Sequence, residues 1–389
     1  MSEKNNFITN FYISNDMLDN YERNLKIKIL AYLNNVGISL EKNINIYDKY
    51  TYKKLQAYSV LEFRKKKEDI IEKLKKKISP HLRSGKEIDP YKIKLKLIEV
   101  KSGTKEAEIY KFWNYAWWSM PWQQPYGRQM RFLIWDEYHD APFGLIGLQS
   151  PILRQAVRDN YLKLSKEMRD YWVNQSLNAQ RVGALPPYNY LLGGKFVASI
   201  LVSKEIRESY YNKYKNKKTL IKDRYIPPNL LFITTTSAFG KSSLYNRLKH
   251  KNHLLAKNLG YTQGYGSFHI PDDLYKEIIN FLNKKGIDTK RKYGDGPSKK
   301  IKLLSKAFSL LNLPNFTQHG LKREFFIFEL CSNLHNVIHN EANPLYYNYS
   351  FNELFEWWLK NKCIPRSQRV ESWKDFDKDK FLEQIYIKA

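Results

Sequence analysis

Cysteine is nearly missing from this chain of 389 residues, which has only Cys331 and Cys363. No CxxC pair and no Cys/His group at zinc spacing occurs, so a disulfide framework and a zinc module are excluded. Two lone thiols fit a reducing compartment. Long apolar runs are missing as well. No stretch of about eighteen apolar residues exists, and no membrane span is expected. Met1–Asn15 lacks the apolar segment of a secretory leader, so the expected address is cytoplasmic. Familiar catalytic signatures are also lacking: no Ser-His-Asp order, no HExxH and no carboxylate pair of diagnostic spacing. No metal site and no cofactor is expected.

Acidic residues are in deficit. Asp and Glu number 39 against 66 Lys and Arg, a formal net charge of +27. A field of that size draws polyanions, so DNA or RNA is the expected partner. Part of the lysine excess is compositional, because Lys, Asn, Ile and Tyr rise together in A/T-rich coding. What is abundant is apolar and aromatic material, 42% and 15% of residues. That supplies a core of large side chains, in one large domain with appendages or in two or three domains.

The pattern along the chain predicts a basic helical region over 1–105, an α/β core over 106–283 and a helical region over 284–389. In the first, Leu61, Phe63, Ile70, Ile71 and Leu74 line one face of a helix over Ser59–Ile78, and lysines cover the rest. Pro80 ends it, and Ile93–Val100 is a short helix or strand. Tyr110–Gly127 carries Trp113, Trp117, Trp118 and Trp122, either a stacking platform or, as density of aromatics favours, a packed hinge. Arg131–Asp136 and Pro142–Leu148 read as a hairpin around Glu137–Ala141. Helical material over Leu153–Val173 and a strand at Asn178–Leu185 follow. A long helix runs from Asn189 to about Tyr214. Asn229–Thr235 is a strand, Ser242–Lys249 a helix, Tyr261–Ile270 a strand and Pro271–Leu282 a helix. Two amphipathic faces follow, Leu303 to Leu311 and Phe325 to Ile338.

Three segments carry candidate chemistry. Ala238–Ser243 (AFGKSS) has the second half of a phosphate loop in Gly240, Lys241 and Ser242. Thr235 stands where the first glycine belongs, so a nucleotide loop is disfavoured. What survives is a helix start able to receive an anion, or simply an N-cap from Ser242 or Ser237. Pro186–Lys195 (PPYNYLLGGK) puts an N-cap candidate, Asn189, before Gly193 and Gly194, where a ligand or the sheet approaches closely. Gly260–His269 has three glycines, but within a strand, which rejects a dinucleotide fingerprint. His269 is a candidate base or a structural histidine. Arg158-Asp159 is an ion pair or part of a polar site. The anion-binding candidates are Lys195, Lys241, Ser242, Ser243, Arg247, Lys322 and Arg323. Arg158, Asp159, Tyr188, Asn189, Thr235, Thr236, Ser237, Tyr245, Tyr261, Gln263 and His269 are candidates for a shared cleft.

Six blocks in order carry a family resemblance: YGR with RFLIWD (Tyr126–Asp136), FGLIGLQSP (Phe143–Pro151), Arg158-Asp159, GALPPYNYLLGGKFVA (Gly183–Ala198), TTTSAFGKSSLYNRL (Thr234–Leu248) and GYTQGYGSFHI (Gly260–Ile270). The chain resembles the DruA family of Druantia anti-phage systems over roughly 79–345. The resemblance implies a part in bacterial defence beside other subunits, such as a large helicase. Occurrence of relatives near mobile elements makes a transposon-linked protein or a structural adaptor the neighbouring readings. It supplies no catalytic residues. The order of strands and helices is that of a GNAT-like mixed sheet, with PPYNYLLGGK at the acyl-CoA pyrophosphate loop. The usual Q/RxxGxG/A pattern is absent there, so an acyltransferase or a nucleic-acid-modifying enzyme stays an alternative on fold analogy alone.

Overall fold

The computed structural model describes residues 18–35, 49–219, 222–264, 270–290, 299–317 and 320–387. They form two compact units. The first gathers residues 1–62, 119–121 and 262–323, and the second gathers 63–118, 122–261 and 324–389. Within the first, the helices Asn20–Asn35 and Asp272–Lys284 pack together, and Asp272–Lys284 also packs on Lys299–Leu310. Lys28 and Glu277 pair at 2.8 Å, and Lys285 pairs with the buried Glu22.

The second unit is built on a sheet. Its strands are β1 (Leu95–Glu99), β2 (Gln129–Asp136), β3 (Ala141–Gln149), β4 (Ser176–Ala184) and β5 (Phe232–Thr236). A two-residue pair, β6 (Lys249–His250) and β7 (His253–Leu254), stands apart, and β8 (Lys257–Tyr261) and β9 (Glu324–Glu329) complete the set. Seven strands hydrogen-bond in the order β1-β2-β3-β4-β5-β9-β8. β4 and β5 run parallel, and the other neighbours antiparallel. The parallel pair requires a crossover, which residues 185–231 provide.

Apolar side chains fill both faces. Phe132, Ile134, Phe143, Phe326 and Phe328 pack under the crossover segment and the helix Phe351–Trp358. Leu133 and Leu145 meet the helices Glu68–Ile78 and Lys105–Ala116 with Leu382 and Ile385. Phe232 and Ile327 are covered by residues 162–173 and the helix Leu334–Ile338. Helices on both faces explain why β3 is buried at every position.

The hairpin forms where two short apolar runs around a polar turn place it, and Ile93–Val100 resolves as a strand. The tryptophans are packing residues. Trp113 is buried and stacks on Phe381, Trp118 lies under Arg181, and Trp122 stacks on Phe63.

Five expectations are corrected. The strand expected over Tyr261–Ile270 lies instead at Lys257–Tyr261, and residues 262–264 are outside it. The Ser59–Ile78 helix breaks at Lys67 into Lys49–Lys66 and Glu68–Ile78. The Asn189–Tyr214 helix is interrupted: Leu192 takes a left-handed φ of 59°, and Ser203 caps a new helix, Lys204–Tyr214. A Cβ at Gly193 would stand 2.7 Å from the Tyr188 carbonyl oxygen and 2.9 Å from the Phe143 ring. Glycine there serves close packing on the sheet. The Phe325–Ile338 face is not one helix. Its first half is β9, six buried residues of Phe, Ile and terminal Glu, whose aromatics suit a strand. Ser242–Lys249 is a turn rather than a helix, for reasons that belong to the site.

Candidate functional site

The AFGKSS and PPYNYLLGGK segments meet. Lys195 sits in the first turn of the helix Gly193–Ser199. Its ammonium donates to the carbonyl oxygens of Ser243 at 3.0 Å, Leu244 at 3.3 Å and Asn246 at 3.2 Å. Those carbonyls are thereby taken from helical hydrogen bonding, and Arg247 adopts a left-handed φ of 58°. Burial lowers the Lys195 pKa, and the nearby charge of Lys362 lowers it further.

Glu324, buried at the start of β9, holds the other side of the turn. Its Oε2 accepts from the Ser242 N–H at 2.6 Å and Asn246 Nδ2 at 2.8 Å. Its Oε1 accepts from Asn258 Nδ2 at 3.1 Å. The Glu324 N–H donates to the Gly240 carbonyl, and its own carbonyl accepts from the Ser237 N–H. The Ser242 N–H, expected to receive an external anion, is thus filled by the protein's own carboxylate. The helix-start anion site is not formed. What faces solvent is Lys241, Ser243 and Arg247.

A second set of residues continues from this turn. The β6–β7 hairpin places exposed Lys249, then His250, Lys251 and His253. Ser350 caps the helix Phe351–Trp358, which buries Phe351, Leu354 and Trp358. Glu353 and Trp357, one turn apart, are left on its half-exposed side. Lys362 stands 5.4 Å from the Trp357 ring centre. Trp357 lies 5.5 Å from the His250 ring, and His250 lies 5.0 Å from Tyr349. His253 lies 5.8 Å from Tyr349 and 4.4 Å from Tyr347, and the two tyrosines stack with planes 9° apart. The result is a strip of rings, Trp357–His250–Tyr349–His253–Tyr347, bordered by cations.

Electrostatics distinguishes the cations. Lys251 pairs with Glu353 at 3.0 Å, and that hydrogen bond lowers the Glu353 pKa. Lys257 pairs with Glu329 at 2.6 Å, and Tyr161 donates to the same carboxylate at 2.6 Å. Burial alone would lower the Lys257 pKa, but its bond to Glu329 and that charge outweigh burial and raise it. Burial lowers the His253 pKa, with Lys257 adding to the effect, so His253 is neutral near pH 7. Arg247, Lys249 and Lys362 form no ion pair among the described residues.

The other sequence-chosen residues divide. Tyr188 is buried and donates to Asp136 Oδ2 at 2.8 Å; His139 Nδ1 lies 2.6 Å from the same oxygen. Oδ1 accepts the N–H groups of Lys94 and Tyr138. The Asp89 N–H donates to His139 Nε2, which leaves the proton on Nδ1 and a fully satisfied buried network. Asn189 is exposed and caps nothing. Thr235 donates to the Ala179 carbonyl at 2.8 Å, Ser237 bonds to Gly240, and Tyr245 packs on Phe326. Thr236 is half-buried at the end of β5. Arg158 is buried in a bidentate pair with Asp159, and Asp159 also meets Arg169 at 2.8 Å. This is the ion-pair reading. Tyr261 is exposed. Gln263, Lys322 and Arg323 belong to the other unit, where Thr262 N–H donates to the Arg323 carbonyl. His269 lies outside the described residues. The expected cleft residues are therefore mostly structural. The ring strip was missed because its members come from separate segments. The available signal was local: eleven Lys and Arg but a single acid, Asp223, stand between Glu208 and Asp272.

The family profile for Druantia protein DruA matches residues 48–340. The chain belongs to the DruA family. A curated relative, Druantia protein DruA of Escherichia coli (strain UMEA 4076-1), is 34% identical over 313 residues, covering 78% of this chain and 77% of the relative. No solved structure matches. The family match contains the whole sheet, the Lys195–Glu324 turn and the β6–β7 hairpin. Tyr347, Tyr349, Trp357 and Lys362 lie beyond its C-terminal limit. Among the described residues no helix is long and apolar enough to cross a membrane, and no His/Cys/Asp/Glu group could hold a metal.

Proposed function

We propose that this protein is a component of Druantia anti-phage defence that binds single-stranded DNA or RNA along the strip from Arg247 to Tyr347. Family membership supports the defence role. The observation that carries the binding role is the row of rings, in which Trp357, Tyr349, His253 and Tyr347 are half-exposed around the buried His250, together with the cations Arg247, Lys249 and Lys362. Cations hold phosphates, while ring faces stack with unpaired bases without regard to sequence. A duplex keeps its bases stacked on each other and offers the rings less. Other defence subunits are the expected protein partners.

The core is read as GNAT-like, which the strand order with β4–β5 as its parallel pair supports. An acyl-CoA role gains no support beside it. Leu244 comes within 3.1 Å of a Cβ built on Gly194, and Tyr245 packs on Phe326 and Phe328. Side chains of the turn thus pack against the helix Gly193–Ser199 and β9.

Binding of labelled single strands and duplexes, followed by fluorescence anisotropy, tests the proposal. Trp357→Ala removes one stacking face, a loss of about 1–3 kcal/mol per base in such sites, or about 5- to 150-fold in affinity. Single-strand binding should fall and duplex binding stay unchanged. Equal binding of both forms, unaffected by the substitution, would sink it.

A further inference from the structure

Arg181 is a buried cation that the fold leaves without a counter-ion. It stands in β4 and is 6% exposed. Its Nε donates to Asn114 Oδ1 at 2.6 Å and its Nη1 to the Gln180 carbonyl at 3.2 Å, and the guanidinium lies 5.0 Å from the Trp118 ring centre. All three partners are neutral. Burial accordingly lowers the Arg181 pKa to about 10. A charge buried in this way carries a desolvation cost that an adjacent anion would offset. Its Nη2 has no hydrogen-bond partner among the described residues. Unlike the sealed Trp118 Nε1, that nitrogen keeps some surface open to solvent.

Strand register brings a second cation to the same place. Arg131 of β2 and Arg181 of β4 are the two cross-strand partners of Gly147 in β3, so both side chains leave the same face of the sheet. Tyr110, from the helix Lys105–Ala116, fills the room over the glycine: a Cβ on Gly147 would stand 2.5 Å from the phenol oxygen. The phenol is thus set between the two arginines. The Arg131 guanidinium lies 5.9 Å from the Tyr110 ring centre, and beyond that ring its side chain has no partner among the described residues. Burial pushes the phenol up to about 12, against the opposing charges of Arg181 and Arg131. Its oxygen is also unpartnered among the described residues and also not sealed. Glu99 lies opposite Phe132, on the other face, and pairs with Lys213 at 3.8 Å. Along the sheet, the row on one side is Leu133, Leu145 and Gly183, and the row on the other is Gln129, Gln149 and Asn178. The face turns from apolar to polar at the arginines.

We propose that Arg131, Tyr110 and Arg181 together hold a phosphate group. Guanidinium N–H groups match phosphate oxygens, and two cations beside one neutral donor suit a dianion better than a single carboxylate. The site lies on the face of the sheet opposite the helix Phe351–Trp358, so it does not rest on the ring strip. Free phosphate, a mononucleotide and the phosphorylated end of a strand present the same chemistry.

The full-length protein in Tris chloride is titrated with inorganic phosphate, and with acetate as the carboxylate control, by calorimetry and thermal melting. Phosphate should bind and raise the melting temperature, with acetate at least about tenfold weaker. Arg131→Gln, at a half-buried position, and Tyr110→Phe should each weaken phosphate by about tenfold. Arg181→Gln should abolish binding, with melting used to confirm that it folds. The strip variants Arg247→Ala and Lys362→Ala should leave phosphate binding unchanged. Tighter binding of AMP than of phosphate supports the site and names a mononucleotide as the source. Tighter binding of an oligonucleotide with a terminal phosphate than of its hydroxyl-ended form, lost in Arg131→Gln, supports it and names a strand end. No phosphate binding, acetate binding as tight as phosphate, or affinity indifferent to every variant that folds overturns the proposal.

Discussion

Replacing Arg247, Lys249 and Lys362 together by alanine should flatten the salt dependence of single-strand binding. These side chains reach solvent and form no ion pair among the described residues, so their removal leaves no buried charge behind. Each phosphate neutralised on a single strand contributes about −0.7 to the slope of log affinity against log salt, so three cations contribute about −2.1. Between about 50 and about 200 mM salt, a fourfold change, that slope is worth about 18-fold in affinity. The triple variant should therefore bind weakly at low salt and lose about 18-fold less than the parent across the range. The assay is anisotropy of a labelled single-stranded oligonucleotide in a salt series, with melting curves to confirm folding. Lys251→Ala is an internal control, because Lys251 is already committed to Glu353 and should alter the slope less. An unchanged slope in the triple variant, with parent binding still salt-dependent, would place the phosphate contacts elsewhere and refute the strip.

Three further outcomes concern the scaffold. Asp136→Ala strips the acceptor from Tyr188, His139 and two backbone N–H groups in a fully buried place, and should cost about 3–5 kcal/mol in urea unfolding, against about 1–2 for Tyr188→Phe. Glu324→Gln places an amide against donors from Ser242, Asn246 or Asn258 and should cost about 1–3 kcal/mol; stability equal to the parent would show that the turn is held by Lys195 alone. Burial pushes the thiols of Cys331 and Cys363, and the phenols of Tyr110, Tyr210, Tyr245 and Tyr346, up to about 12. Folded pKa values above the unfolded ones give stability that is complete below about pH 8.5 and is lost as pH rises toward about 12. Both thiols should resist a thiol reagent at pH 8 until the chain unfolds; prompt reaction in the native state would contradict their burial.

Much of the sheet was legible. The hairpin β2–β3 follows from two short apolar runs around a polar turn, and β4 and β5 from short apolar runs between breakers. From sequence β9 reads as helix, because a short, wholly buried apolar run has no period to decide between helix and strand. The residues that decide it, Phe232 to Thr236 of β5 and Lys257 to Tyr261 of β8, stand far away in the chain. The turn at Ser242 has the same cause. Local propensity favours a helix after GKSS, but Lys195 takes its carbonyls and Glu324 its first N–H. Pairing of PPYNYLLGGK with AFGKSS was a question the sequence could pose and the contact between Lys195 and Ser243–Asn246 answers.

The sequence by itself determined the net charge and the family. Net charge is a sum over residues, and ordered motif blocks are read along the chain, so neither needs a third dimension. It also determined that the core would be a mixed α/β structure, because periodicity is local. Tertiary structure decided which cations are free and which are spent. Lys195, Lys251 and Lys257 look like Arg247, Lys249 and Lys362 in the sequence, yet the first three are held by carbonyls or carboxylates from distant segments. Structure also made the ring strip, since His250 and His253 from one hairpin meet Tyr347, Tyr349 and Trp357 only when the chain after β9 folds back beside it. Charge is additive along a chain; availability of a charge depends on what the fold sets next to it.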